Sequence, residues 1–80
     1  MKKICIDILE HVRNKPGLSI GKIGIELSGK WGSSYTRMTT SELIHQGLIL
    51  SDQSGKRGYS LTISEAGIQA LRSVNEAVMS

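Results

Sequence analysis

Residues 33–49 read SSYTRMTTSELIHQGLI, and this stretch decides how the chain folds. Its first nine residues carry six serine or threonine hydroxyls, which compete with helical hydrogen bonds and lower the helix propensity. On a helical wheel, one side nevertheless carries three threonines and the first leucine. The residues of that side are Thr36, Thr39, Thr40 and Leu43. We therefore predict a helix over residues 33–46 that is held by packing of its threonine methyls rather than by local preference.

The opposite side of this predicted helix carries short polar groups, one guanidinium and one thioether. Its residues are Ser34, Arg37, Met38 and Ser41. Gly47 is the expected C-cap, because a glycine adopts the left-handed conformation that commonly ends a helix. The pattern thus predicts an exposed polar face on a helix that is buried on its other side.

Two further helices are predicted upstream. The first covers residues 3–14 and ends before Pro16. Its inward positions are Ile4, Cys5, Ile8, Leu9 and Val12, with Cys5 expected to behave as a buried small hydrophobe. Ser19 is the expected N-cap of a short second helix. The inward positions of this helix are Ile20, Ile23, Gly24 and Leu27, and Gly24 is expected at a close contact between backbones. Residues 28–32 are predicted to turn the chain.

A hairpin and a last helix are predicted downstream. Gly55 and Gly58 bracket Lys56 and Arg57, so residues 48–63 read as two strands with two cations at the tip. In the second strand, Tyr59, Leu61 and Ile63 are predicted to point inward. Ser64 is expected to cap the final helix. Its predicted apolar positions are Ala66, Ala70, Leu71, Val74, Ala77 and Val78.

Length and composition limit the class of protein. Eighty residues fit one domain, 1–80, and an apolar fraction of 39% is typical of a folded chain. A single cysteine excludes an intramolecular disulfide, and the start of the chain lacks a signal-peptide core. We therefore expect a cytoplasmic protein without a membrane segment. The net charge of +3 is concentrated in the middle of the chain, which favours a polyanionic partner.

The order of elements resembles the winged helix-turn-helix proteins, and most closely the MarR-type group. The second helix is similar to the family's Leu-Ala-x-x-Leu at Ile23, Gly24 and Leu27, and Trp31 matches its apolar turn residue. The remaining similarities are the end of the third helix at Leu43, Gly47, Leu48 and Ile49, and the exit from the hairpin at Ile63-Ser64-Glu65-Ala66-Gly67. The resemblance implies an α+β, mainly α fold with three helices, a β-hairpin wing and a C-terminal helix.

It also implies a small transcriptional regulator, most simply a repressor, that binds double-stranded DNA with its third helix in the major groove. The base-contacting residues would be Ser34, Arg37, Met38 and Ser41. The phosphate-contacting residues would be Lys22, Lys30, Ser33, Tyr35, Lys56 and Arg57, the last two in a wing over residues 52–58. A homodimer through the first and fourth predicted helices is expected, and a small-molecule effector is not.

Two other functions fit the same residues. The hydroxyl-rich face would also suit a protein-interaction module, and the basic region would suit a partition or architectural protein that coats DNA with weak sequence preference. The same residues also fit an interpretation without a binding partner. The polar face of the helix would then only contact water, and the charged hairpin tip would only keep the hairpin soluble. An enzyme is not expected, because His11 and His45 read as isolated surface residues. The same isolation predicts no catalytic residues, no cofactor and no metal.

Overall fold

The computed structural model describes the backbone of residues 2–55 and 58–79, and the side chains outside 53–59 and 75–80. Within these residues the chain forms five helices and a two-stranded sheet. In chain order they are α1 (Lys3–Asn14), α2 (Ile20–Glu26), α3 (Ser28–Trp31), α4 (Ser33–His45), β1 (Ile49–Gly55), β2 (Gly58–Ile63) and α5 (Glu65–Met79). The fold is therefore mainly helical α+β, with an antiparallel hairpin before the last helix.

Helix α1 buries the apolar face that its sequence predicts. Ile4, Ile8, Leu9 and Val12 lie in the core at the expected helical spacing. The prediction for Cys5 is wrong, because this residue is only half-buried and packs at the margin of the core. It lies one position round the helix from Ile4, where the covering elements no longer close over the side chain.

Helix α2 begins at the predicted cap. The Ser19 hydroxyl oxygen accepts a 3.1 Å hydrogen bond from the Lys22 backbone N–H, and Ile23 and Gly24 are buried. The segment predicted as a turn contains the single helical turn α3, which ends at Gly32 with a φ of 79°. One residue, Leu27, separates α2 from α3, and one residue, Gly32, separates α3 from α4.

Helix α4 has the two sides that its wheel predicts. Thr36, Thr39, Thr40 and Leu43 are all buried, none of them more than 4% exposed. Two of the threonine hydroxyls bond to the carbonyl four residues earlier: Thr36 Oγ1 donates to the Gly32 carbonyl at 2.8 Å, and Thr40 Oγ1 donates to the Thr36 carbonyl at 2.7 Å. These bonds let the threonines enter the core without an unpaired polar atom, which would otherwise destabilise the fold.

The end of α4 is a Schellman motif. Gly47 has a φ of 79°, its N–H donates to the Ile44 carbonyl, and the Leu48 N–H donates to the Leu43 carbonyl, both at 3.0 Å. The predicted role of Gly47 is thus confirmed, and the chain leaves the helix directly into β1.

The hairpin pairs Ile49 with Ile63 and Gly55 with Gly58, as the two glycines predict. Leu61 is buried and Ile63 half-buried, which confirms their inward direction, whereas the Tyr59 side chain lies outside the described residues. A bridge from Leu18 adds to the β2 edge, where the Leu61 N–H donates to the Leu18 carbonyl at 2.9 Å. The sheet is thereby attached to the α1–α2 connection.

Ser64 joins α5 to the end of α4. Its hydroxyl accepts a 3.1 Å hydrogen bond from the Gly67 N–H, the predicted cap, and donates one of 2.6 Å to the Gly47 carbonyl. The inward direction predicted for Ala66 is wrong, since Ala66 is exposed and Gly67 is buried. Ala66 lies five residues before the buried Leu71, about 140° away around the helix, so the two cannot share a face.

The core lies where α1 packs against α4, α5 and β2, and α2 packs against α4. Its buried apolar members are Ile4, Ile8, Leu9, Val12, Ile23, Leu43, Ile49, Leu61 and Leu71. Among the residues that the structure describes, none of the helices has the length and apolar character that crossing a membrane requires.

Candidate nucleic-acid interface

The exposed side of α4 contains the four residues predicted to read DNA bases. Ser34, Arg37, Met38 and Ser41 are all exposed, and we call them the α4 outer face. They are brought together by one element alone, so their mutual spacing follows from helical geometry. The opposite side of the same helix is buried, which fixes the direction in which this face points.

Two charged or titratable residues missed by sequence reasoning extend this surface. His45 lies one turn beyond Ser41, Glu42 lies one turn beyond Met38, and both are exposed. The spacing of four residues was the signal that could have identified them. The surface thus carries one guanidinium and one carboxylate, on opposite edges of the helix.

Arg37 lies at the edge of the outer face that adjoins α2. A Cβ atom built on Gly24 would stand 2.9 Å from Arg37 Cγ and 3.4 Å from Cδ. The methylene stem of Arg37 therefore packs on the bare backbone of α2 although the residue as a whole is exposed. The close contact predicted for Gly24 is confirmed, and its partner is this arginine stem together with the Ser33 carbonyl oxygen, 3.3 Å away.

Among the predicted phosphate contacts that the structure describes, three are exposed and are not bound to Asp7 of α1 as Lys30 is. They are Lys22, Ser33 and Tyr35. Lys22 belongs to α2, the helix that contacts the Arg37 edge of α4, whereas Tyr35 lines the groove toward α1. Tyr35 therefore lies on the flank of α4 away from α2. Lys56 and Arg57, the predicted wing cations, lie outside the described residues.

Lys30, another predicted phosphate contact, forms an ion pair with Asp7 on α1. Its ammonium lies 2.9 Å from Asp7 Oδ2 and 5.6 Å from the centre of the Trp31 ring, and the Trp31 Nε1 donates to the same carboxylate oxygen at 2.8 Å. The hydrogen bond from Lys30 is the main cause that lowers the pKa of Asp7; partial burial opposes it, and Trp31 adds to it. Trp31 is half-buried against the core as predicted, and its indole also ties α3 to α1.

His11 is not the isolated surface residue that its sequence position predicts. Its Nε2 lies 2.7 Å from Glu26 Oε1, and Lys15 Nζ lies 3.5 Å from the same oxygen. The bond from His11 and then the nearby Lys15 lower the pKa of the exposed Glu26 carboxyl. The pairing joins α1 to α2 across 15 residues of sequence, a contact that no local pattern signals.

A groove runs along the other flank of α4, beside the start of α1. It has a volume of about 470 Å³. Its lining residues are Lys2, Cys5, Tyr35, Met38, Thr39, Glu42 and Gln46. Met38 therefore belongs both to the α4 outer face and to the groove, and it is 58% exposed.

Metal ligands do not gather in the part of the chain that the structure describes. No group of three or more His, Cys, Asp or Glu side chains is placed there to hold a metal ion. The two histidines and Cys5 lie on different surfaces: His11 faces α2, His45 ends α4, and Cys5 lines the groove.

Comparison with known proteins returns no relative. No protein-family model matches the chain, and neither a curated protein nor a solved structure matches it significantly. Its function is therefore inferred from the α4 outer face and the residues around it.

Proposed function

We propose that this chain is a small winged helix-turn-helix regulator that binds double-stranded DNA sequence-specifically and represses transcription. In this proposal α4 enters the major groove, and the β1–β2 hairpin is the wing that lies on the backbone or in the minor groove. The resemblance of the sequence to MarR-type proteins supports the same assignment.

One observation carries the proposal: α4 is buried along one side and along the other exposes two serines, one guanidinium and one thioether. The major groove is about 12 Å wide, and a helix with its side chains measures about 10–12 Å across. A helix held from behind by α1 and α2 is therefore suited to insertion. Its short Ser34 and Ser41 side chains would let the backbone approach the base edges.

Arg37 is the principal base reader in this proposal. A guanidinium can donate two parallel hydrogen bonds to N7 and O6 of guanine, and such a pair contributes about 1–3 kcal/mol of discrimination. Ser34 and Ser41 would contact bases through their hydroxyls, and Met38 would pack against a thymine methyl.

Phosphate contacts would fall on both flanks of α4. Lys22 and Ser33 would serve the α2 side and Tyr35 the α1 side, with Lys56 and Arg57 acting from the wing. Lys30 would reach a phosphate only by exchanging Asp7 for a phosphate oxygen, so we assign it a smaller share. Dimerisation through α1 and α5 would place two copies of α4 on a two-fold-related site.

Selection of bound fragments from random duplex DNA tests this function. We expect enrichment of a motif that contains guanine, with affinity that falls steeply as salt rises because each phosphate contact releases counterions. Retention of DNA without any enriched motif would instead support a coating or partition protein.

A second candidate, a protein-interaction module, is favoured by the groove beside α4. Tyr35 is 40% and Met38 58% exposed there, and large exposed apolar side chains often mark contact sites for proteins. If no duplex DNA is retained even at low salt, this candidate replaces the first. Tyr35→Ala would then abolish partner binding, while Arg37→Ala would leave it unchanged.

A further inference from the structure

We infer that Gly24 is a positioning residue for base readout: by lacking a side chain, it seats the Arg37 stem and thereby aims the guanidinium. The inference rests on the proposed function and deepens it, since it names a residue outside α4 that sets sequence preference.

We call the contact between Gly24 and the methylene stem of Arg37 the seat, and its geometry is specific. Gly24 is buried at the contact between α2 and α4, and the atoms nearest to a Cβ there would be Arg37 Cγ at 2.9 Å, the Ser33 carbonyl oxygen at 3.3 Å and Arg37 Cδ at 3.4 Å. Two of these three atoms belong to the methylene stem of Arg37. The position of the stem therefore depends on the missing Cβ.

A methyl group at Gly24 would displace the Arg37 side chain more readily than it would displace the backbones of α2 and α4. A Cβ–Cγ separation of 2.9 Å is shorter than real contacts allow, so the contact must open, and a different Arg37 rotamer opens it without moving the backbone. The backbone contact to Ser33 at 3.3 Å needs a shift of only a few tenths of an ångström. We therefore expect the Gly24→Ala chain to fold but to hold the Arg37 guanidinium in a different position from the unmodified chain.

Such a displacement would affect specificity more than general affinity. A bidentate contact needs both guanidinium N–H groups aligned with the guanine edge, whereas phosphate attraction tolerates a shifted charge. A seated stem also leaves fewer rotamers to be lost on binding. Gly24 would thus act through Arg37 without touching DNA itself.

Gly21 provides a matched control on the same helix. It is exposed, and a Cβ built there would meet no atom within 4 Å. Gly21→Ala adds the same methyl group and the same gain in helix propensity without contacting Arg37. Any effect peculiar to Gly24→Ala then belongs to the seat.

The test uses the full chain and two duplexes: one that the unmodified chain selects from a random pool, and the same duplex altered at the guanine whose preference Arg37→Ala reduces most without removing it. The readout is the ratio of the two dissociation constants, which a loss of folded protein leaves unchanged. We expect Gly21→Ala to keep this ratio within about 2-fold and Gly24→Ala to lower it by about 5-fold or more. Gly24→Ala added to Arg37→Ala should lower it no further.

A Gly24→Ala ratio equal to that of the unmodified chain would overturn the inference while leaving DNA binding intact. An equal further loss in the Arg37→Ala background would overturn it too, because the effect would then not pass through Arg37. Failure to enrich any sequence would refute the proposed function and base readout by Arg37 with it. Independently of DNA, NMR of the unmodified chain should show a nuclear Overhauser contact between the Gly24 Hα and Arg37 Hγ protons, and its absence would refute the seat.

Discussion

The indole Nε1 of Trp31 donates a 2.8 Å hydrogen bond to Oδ2 of Asp7, across 24 residues of sequence. The same oxygen lies 2.9 Å from the Lys30 ammonium. Because α3 immediately precedes α4, this carboxylate on α1 helps to fix where the proposed reading helix begins. Two donors on one acceptor also explain why the pKa of Asp7 is lowered.

The first prediction concerns the stability supplied by Asp7. We expect Asp7→Asn to lower the free energy of unfolding by about 1 kcal/mol at neutral pH, since the partly exposed charge-assisted bonds are screened by solvent. The pKa of Asp7 in the folded chain lies below the ordinary aspartate value, so this contribution is present above the unfolded pKa and is lost as pH falls through the folded pKa. Urea unfolding measured from neutral to strongly acidic pH should show the two proteins converging below about pH 4.

Glu10→Gln is the matched control on the same helix, and we expect it to change stability by less than about 0.5 kcal/mol. A difference between Asp7→Asn and the unmodified chain that stays constant down to low pH would contradict the role assigned to the Asp7 charge.

The second prediction separates the methyl from the hydroxyl of Thr40, which is fully buried. Thr40→Ser removes the methyl and should cost about 1 kcal/mol through lost burial and a small cavity. Thr40→Val keeps the shape, and the Thr36 carbonyl that loses the hydroxyl still accepts its helical bond, so the change should stay within about 0.5 kcal/mol. Thermal unfolding ranks the two, and the reverse order would show that the hydroxyl, not the methyl, holds α4 in the core.

The third prediction concerns the junction between α4 and α5. A Cβ on Gly67 would overlap the Leu48 carbonyl oxygen and stand 2.7 Å from Ile63 Cγ1. Since backbone cannot yield as a flexible side chain does, Gly67→Ala should destabilise the chain by about 1–3 kcal/mol. Gly29→Ala, where a Cβ meets no atom within 4 Å, should be neutral or slightly stabilising in the same denaturation measurement. Equal stability of the two variants would refute the close approach at Gly67.

Local patterns predicted much of this fold. The two sides of α4, the caps at Ser19 and Ser64 and the left-handed Gly47 depend on residues a few positions apart, and each is confirmed. Propensity alone would have rejected α4. The helix forms nevertheless, because burial of the threonine methyls and the internal hydroxyl bonds override the low helix propensity.

Contacts between distant elements could not be predicted in this way. The pairing of His11 with Glu26 and of Lys30 with Asp7 depends on how the helices are placed, not on the spacing within any of them. The same reason hid the groove beside α4, which needs the start of α1 as its second wall. Ala66 shows the opposite error, because a small apolar residue fits a helical pattern even where it faces solvent.

For the central claim, the decisive residue is Arg37. Binding isotherms of fluorescent duplexes should be compared for the unmodified chain, Arg37→Ala and Arg13→Ala, which removes the same charge from the exposed end of α1. The duplexes are the selected site and single-base variants of it, at two salt concentrations. We predict that Arg37→Ala loses about 5- to 150-fold of discrimination at one guanine, whereas Arg13→Ala keeps the base preference of the unmodified chain. Base preference that is retained in Arg37→Ala, or an unmodified chain that binds no duplex at low salt, would contradict the account.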